Sequence, residues 1–248
     1  MIKKLLLFDL DWTLIYTGGA GVLALDHAFE KIFGIADAMK TVSPDGKTDP
    51  AICREMISVH LNRDPREGEM EQLCQGYLKQ LKVEVKKSPG YRILPGIPQL
   101  LEALSQRTEI LMGLGTGNLE GGAAIKLARA NLMRYFRFGG YGSDSEDRPT
   151  VLSKGVERGV ALAGHPVAPR DVVVIGDNMR DVLAGKAIGA TTIAVASGPM
   201  SKEELAKTSP DHLFKDLSDT AAVMKVLMAD SPHPASGHLL PKGRRPTA

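Results

Sequence analysis

Four consecutive apolar residues, Val172-Val173-Val174-Ile175, run straight into Gly176-Asp177-Asn178, and near the N-terminus Leu5-Leu6-Leu7-Phe8 runs in the same way into Asp9-Leu10-Asp11. A short, unbroken apolar run has no polar face, so as a strand it must be covered on both sides. Strands of that kind belong to parallel sheets, where crossover helices supply the cover. Further apolar runs at 110–114 and 191–195, with a shorter one at 138–141, alternate with segments of helical periodicity at 97–105, 120–130 and 151–163. The alternation predicts an α/β fold, a three-layer α/β/α sandwich around a parallel, Rossmann-like sheet.

Between the first run and position 89 the pattern changes. Apolar positions recur at helical spacing over 22–33, 49–61 and 66–81, with no convincing strand. Gly18, Gly19 and Gly21 permit a hinge or flap at the entry. Asp49-Pro50 reads as a helix start, with Asp as N-cap and Pro at the first helical position. The expectation is a small all-helical cap of four-helix type over 17–88, inserted into a core domain formed by 1–16 and 89–229. From 230 onward Pro, Ser, Gly and basic side chains leave too little apolar surface to bury, so 230–248 reads as a disordered tail.

Bulk properties set limits. A net charge of +2, with 24% charged and 43% hydrophobic residues, calls for neither nucleic acid nor membrane as partner. No stretch approaches the roughly 20 apolar residues that span a bilayer. The apolar run after Met1-Ile2-Lys3-Lys4 stops at Asp9, too soon for a secretory signal. The two cysteines, Cys53 and Cys74, lack metal or redox spacing and fit a reducing, cytoplasmic setting. Monomer and homodimer both stay open.

In open α/β sheets ligands bind outside the carboxyl ends of the strands. Asp9, Asp11 and Thr13 follow the first strand, Thr116-Gly117-Asn118 the strand at 110–114, Arg148 the loop after 138–141, and Asp177 with Asp181 the strand at 172–175. Gathered in one crevice, these carboxylates repel one another and at least one pKa rises, unless a cation joins them. An all-oxygen donor set without Cys or His suits Mg²⁺ rather than Zn²⁺. A carboxylate beside such an ion can attack phosphorus, and a second acid two residues on can protonate the leaving oxygen and then activate water.

Asp9-Leu10-Asp11-Trp12-Thr13 resembles the first motif of the haloacid dehalogenase superfamily, and Gly176-Asp177-Asn178-Met179-Arg180-Asp181 resembles its fourth. Thr116 after an apolar strand resembles the second. The helical cap between the first and second motifs, with Gly46-Lys47-Thr48-Asp49, resembles the phosphoglycolate phosphatase-like and β-phosphoglucomutase-like members. The resemblance implies Asp9 as nucleophile and metal ligand, and Asp11 as general acid/base and ligand through its backbone carbonyl. It implies that Thr116 binds the phosphoryl group, with Thr13, Gly117, Asn118 and Lys47 around the substrate. Asp177 becomes a ligand to Mg²⁺, and Asp181 a ligand or its support.

The third motif of that family is a cation, usually Lys followed by Pro. Here Arg148-Pro149 stands in the expected register and Lys154 is the alternative. Trp12 stands where the family usually has Gly. Asp11 and Asp177 together favour phosphoryl transfer over the metal-free dehalogenase branch. The implied activity is Mg²⁺-dependent hydrolysis of a small phosphorylated metabolite through an aspartyl-phosphate. The alternatives are a phosphomutase of β-phosphoglucomutase type and a non-catalytic interaction protein on the same scaffold.

Overall fold

The structure, a computed structural model, describes residues 1–229; the expected tail at 230–248 lies outside the described residues. Among the described residues eight strands form in chain order: β1 (Lys4–Phe8), β2 (Ile15–Thr17), β3 (Tyr91–Ile93), β4 (Ile110–Gly115), β5 (Phe138–Gly140), β6 (Val172–Gly176), β7 (Thr191–Val195) and β8 (His212–Phe214). Six of them make one parallel sheet in the order β5-β4-β1-β6-β7-β8. The continuous apolar runs therefore sit at its centre, where burial on both faces is required. Leu6 and Phe8 of β1 pack on one side with Val173 and Ile175, against helices α4 (Ile97–Ser105), α5 (Glu120–Ala128) and α9 (Thr220–Met228). Leu5 and Leu7 pack on the other with Val172, Val174 and Leu152, against α6 (Arg148–Ala163) and α7 (Met179–Ala187). The three predicted layers follow from this period-two split.

Register brings the motifs together. β1 lies between β4 and β6, with Phe8 opposite both Leu114 and Ile175. The residues just beyond, Asp9, Thr116 and Asp177, thus emerge at one edge of the sheet, and Asp9 N continues the ladder to Ile175 O at 2.8 Å.

The insert contains α1 (Ala20–Phe33), α2 (Asp49–Leu61) and α3 (Glu69–Lys87) plus a short 3₁₀ turn at Ala38–Thr41, so three α-helices stand where a four-helix cap was expected. They enclose their own apolar cluster, with Phe29, Met56, Ile57, Leu73, Tyr77 and Leu81 fully or almost fully buried. α3 runs past the predicted end at 81, because Val85 is still on the buried face and Lys86 and Lys87 suit the helix C-terminus. The start of α2 also differs from the prediction. Thr48 is the N-cap, its hydroxyl accepting from Ala51 N, and Asp49 is the first helical residue. Both junctions of the insert run through an antiparallel ribbon, Ile15↔Ile93 to Thr17↔Tyr91, which no periodicity in the sequence announces. The two junction chains nearly touch: a Cβ on Gly18 (φ 68°) would lie 2.8 Å from the Gly90 backbone. Among the described residues no helix is long and apolar enough to cross a membrane.

Candidate active site

Asp9 leaves β1 into the edge of a cavity of about 750 Å³ between the sheet and the helical insert. Carboxylate oxygens of Asp9, Asp177 and Asp181 lie within 4.8 Å of one another. Asp177 ends β6. Asp181 sits in the first turn of α7, where Asn178 caps the helix and Asp181 Oδ2 accepts from Asn178 N at 3.2 Å. One capping residue therefore also turns its other oxygen to the cluster.

Of the two cations proposed from sequence, the structure brings only Arg148 to this place. Its Nη2 donates to Asp9 Oδ1 at 2.8 Å, to Asp181 Oδ1 at 2.5 Å and to Gly115 O at 3.1 Å, with 9% of the side chain exposed. The helix supplies the aim: Asp147 caps α6 by accepting from Thr150 N, so Arg148 is the first residue of the helix that faces the strand ends. Lys154 is two turns away in solvent, paired with Glu157 on its own helix.

The charge balance shows in the titration of these groups. Burial, reinforced by the Asp181 charge, pushes Asp9 up to about 6 in spite of Arg148. Burial and then the charges of Asp9 and Asp181 push Asp177 well above the carboxylate range. Burial opposes the Arg148 charge, but Asp181 and Asp9 more than offset it and raise its pKa. Three carboxylates facing one guanidinium leave an excess of negative charge, all on oxygen. That donor set fits a hard divalent cation.

Asp11 is outside the three-carboxylate cluster and turns to the opposite wall. Its Oδ2 accepts from Asn118 Nδ2 at 3.0 Å and from Lys126 Nζ at 2.5 Å. Lys126 is not among the residues that the motifs single out. A lysine in a helix reads as a solvated side chain, yet it shares the buried face of α5 with Ala123 and Leu127, and that i, i+3, i+4 register was the available signal. Burial works against its charge, but Asp11 and Asp49 hold its pKa above the ordinary lysine value.

The remaining candidates divide. Gly117, Asn118 and Lys47 line the cavity. Lys47 Nζ also pairs with Glu55 of α2. Thr116 is fully buried at the end of β4, its Oγ1 accepting from Asn118 N at 3.3 Å and Asn118 Nδ2 at 2.9 Å. Thr13, expected at the substrate, is 1% exposed and behind the cluster, where its hydroxyl donates to Asp177 Oδ1 at 3.3 Å. The turn after Asp11 buries it there. Trp12 holds a left-handed conformation (φ 59°), which costs a non-glycine residue about 1–2 kcal/mol. Its indole stacks on Tyr16 at 3.9 Å, with the Arg92 guanidinium 4.4 Å from the Tyr16 ring, and both rings line the cavity.

The insert is seated on the site. Asp49 N donates to Gly117 O at 2.8 Å, and Asp49 Oδ2 accepts from Leu119 N at 2.8 Å. A Cβ on Gly117 would lie 2.5 Å from Lys47 O, so only glycine allows this approach. Asp49 is 6% exposed, and burial raises its pKa from 3.8 to about 6 against the pull of Lys126. A raised carboxylate pKa means folding stability is greatest below about 3.8, falls as pH rises toward about 6 and is level above, a total cost of about 3 kcal/mol across that interval. Asp49→Asn keeps an acceptor for Leu119 N without the charge. Urea midpoints should therefore rise at pH 7.5 relative to the unsubstituted chain and match it at pH 4; an equal gap at both values would refute the account.

Known proteins with similar features fall in one group. The family model described as HAD-hydrolase-like matches residues 158–220. A phosphoglycolate phosphatase of Pseudomonas savastanoi pv. phaseolicola is 25% identical over 217 residues, covering 87% of this chain and 78% of the relative. The pyrophosphatase PpaX of Bacillus pumilus is 25% identical over 228 residues, covering 88% and 94%. Among solved structures, CbbY from Rhodobacter sphaeroides in complex with phosphate superposes with a TM-score of 0.66 at 18% identity, covering 88% of this chain and 96% of that one. A hydrolase from Pseudomonas syringae gives 0.65 at 21%, covering 92% and 100%. Relatives, family model and fold point the same way: this chain resembles the phosphatase-type hydrolases of the haloacid dehalogenase superfamily.

Proposed function

We propose that the chain hydrolyses a small phosphomonoester through a phosphorylated Asp9, with Mg²⁺ as the bound ion. The observation that carries this reading is the meeting of Asp9, Asp177 and Asp181 within 4.8 Å, with Arg148 against Asp9 and Asp11 on the same cavity. Asp9, Asp177 and Asp181, with the Asp11 backbone carbonyl, would hold the ion. When bound, it neutralises phosphoryl oxygens and orients the group for in-line attack.

The chain's own residues do the rest. Arg148 fixes Asp9 through Oδ1, which leaves Oδ2 to attack phosphorus. The backbone N–H of Gly117, just before α5, is offered to a phosphoryl oxygen, while the Asn118 side chain is taken up by Asp11, Thr116 and Lys126 and holds the turn. Asp11 serves as acid toward the leaving oxygen and then as base toward water. The insert, read as a cap over 17–88, excludes bulk water when seated and selects the substrate, with Lys47 offered to an anionic substituent.

Phosphate release from a panel of phosphorylated metabolites, pyrophosphate included, tests the reading. Turnover should vanish with chelator and return with Mg²⁺. Phosphorus NMR with β-glucose 1-phosphate separates hydrolysis from mutase transfer, since free phosphate and not glucose 6-phosphate is expected. No release from any substrate with any divalent ion would count for a non-catalytic role.

A further inference from the structure

An ammonium with 5% of its side chain exposed is costly to bury, and Lys126 is held in that state by contacts that all lead to the site. Its Nζ donates to Asp11 Oδ2 at 2.5 Å and to Asn118 Oδ1 at 2.6 Å. Asn118 Nδ2 in turn donates to the same Asp11 Oδ2 at 3.0 Å and to Thr116 Oγ1 at 2.9 Å. Two donors converge on one carboxylate oxygen. Asp11 Oδ1 has no hydrogen-bond partner among the described residues, and the carboxylate, 34% exposed, faces the cavity.

We propose that Lys126 is a positioning residue for the leaving-group step: it clamps Asp11 Oδ2, so that Oδ1 is the oxygen that gives up the proton and takes it back. The proposal rests on the phosphatase reading above. In the first step an Asp9 oxygen forms a bond to phosphorus. The bond from phosphorus to the ester oxygen breaks with its electron pair on that oxygen, and the proton on Asp11 Oδ1 passes to it. In the second, a water oxygen attacks phosphorus and loses its proton to Asp11 Oδ1. The Asp9–phosphorus bond breaks, and its pair returns to the Asp9 carboxylate. Lys126 transfers nothing. Its fixed charge lies beside the carboxylate as that group becomes anionic, with no reorganisation required at that moment. Through Asn118 the same ammonium ties the acid to Thr116, so the group that protonates the leaving oxygen and the strand end beside the phosphoryl group keep one geometry.

A lysine that only balanced the buried Asp49 charge would, when removed, impair every substrate alike. A positioning lysine would not, because a leaving group that departs readily as an anion needs no acid. Lys126→Met is compared with the unsubstituted chain on p-nitrophenyl phosphate and on the best alkyl phosphomonoester from a panel that includes phosphoglycolate and glycerol 1-phosphate. Lys126→Met/Asp49→Asn, which also removes the buried charge of Asp49 that Lys126 offsets, guards against a single variant that fails to fold. In the variants, kcat on the alkyl ester should fall about 10–100-fold with KM within about threefold, while the pre-steady-state burst of p-nitrophenolate keeps its rate within about threefold. A burst slowed as much as alkyl turnover, or alkyl turnover that is unchanged, overturns the assignment of Lys126 alone. Failure of the unsubstituted chain to release phosphate from either ester overturns the phosphatase reading, and the assignment falls with it.

Discussion

Asp9→Asn should leave no measurable phosphate release, a loss of roughly 10⁴-fold or more, with the fold intact. The amide is nearly isosteric, and its oxygen can still accept from Arg148 Nη2, so the local geometry survives. What disappears is the anionic oxygen proposed to attack phosphorus. Stability should not suffer, because the substitution also removes a buried charge that Asp181 repels and that burial has pushed to about 6. The thermal midpoint in chelator at pH 7.5 should therefore equal or exceed that of the unsubstituted chain. Colorimetric phosphate assays with and without Mg²⁺, beside circular dichroism melts, check both halves. Activity retained above about a hundredth would mean that another group attacks phosphorus.

Arg148→Ala should be the most destabilising single change at the site. The guanidinium is the cation nearest to a cluster of three carboxylates and has 9% exposure, so its loss strands buried negative charge at a cost of about 3–5 kcal/mol. Turnover should fall about hundredfold or more, since Asp9 loses the donor that aims it. Arg148→Lys keeps the charge, but one ammonium has no counterpart of the Nε that donates to Asp181 Oδ1 beside Nη2, and an intermediate loss is expected. Lys154→Ala is the comparison: paired only with Glu157 in solvent, it should change stability by less than about 0.5 kcal/mol and turnover not at all. Urea midpoints and kcat for the three variants settle the matter. An Arg148→Ala chain as stable as Lys154→Ala would contradict the buried-cluster account.

The parallel sheet was legible because a strand covered on both faces must be apolar throughout, and few other elements read that way over four or five residues. The acids at the ends of β1 and β6 were legible for the complementary reason: a charged residue directly after such a run can stand only at the rim. Features whose cause lies in distant partners were not. β2 and β3 have three residues each and include Tyr16, Thr17 and Arg92, so they hold no pattern until they pair across the insert. Asp49 and Thr48 are both good N-caps, and only the close approach to Gly117 and Leu119 explains why Thr48 takes that role and Asp49 is buried beside it. Thr13 looked like a substrate contact from its place in the motif, but the left-handed turn at Trp12 sends it behind Asp177. Lys126 carries the same lesson from the other side: its residue type suggested solvent, and its helical register alone pointed inward.

Trp12 is the chain's single tryptophan, and it forms part of the cavity wall directly after Asp11. All indole emission of this protein therefore originates a few residues from the proposed nucleophile. Arrival of a ligand changes the polarity around that ring and its stack with Tyr16. Occupancy can be followed by light in the native, unlabelled chain, including the Asp9→Asn form, in which substrate can dock without being consumed.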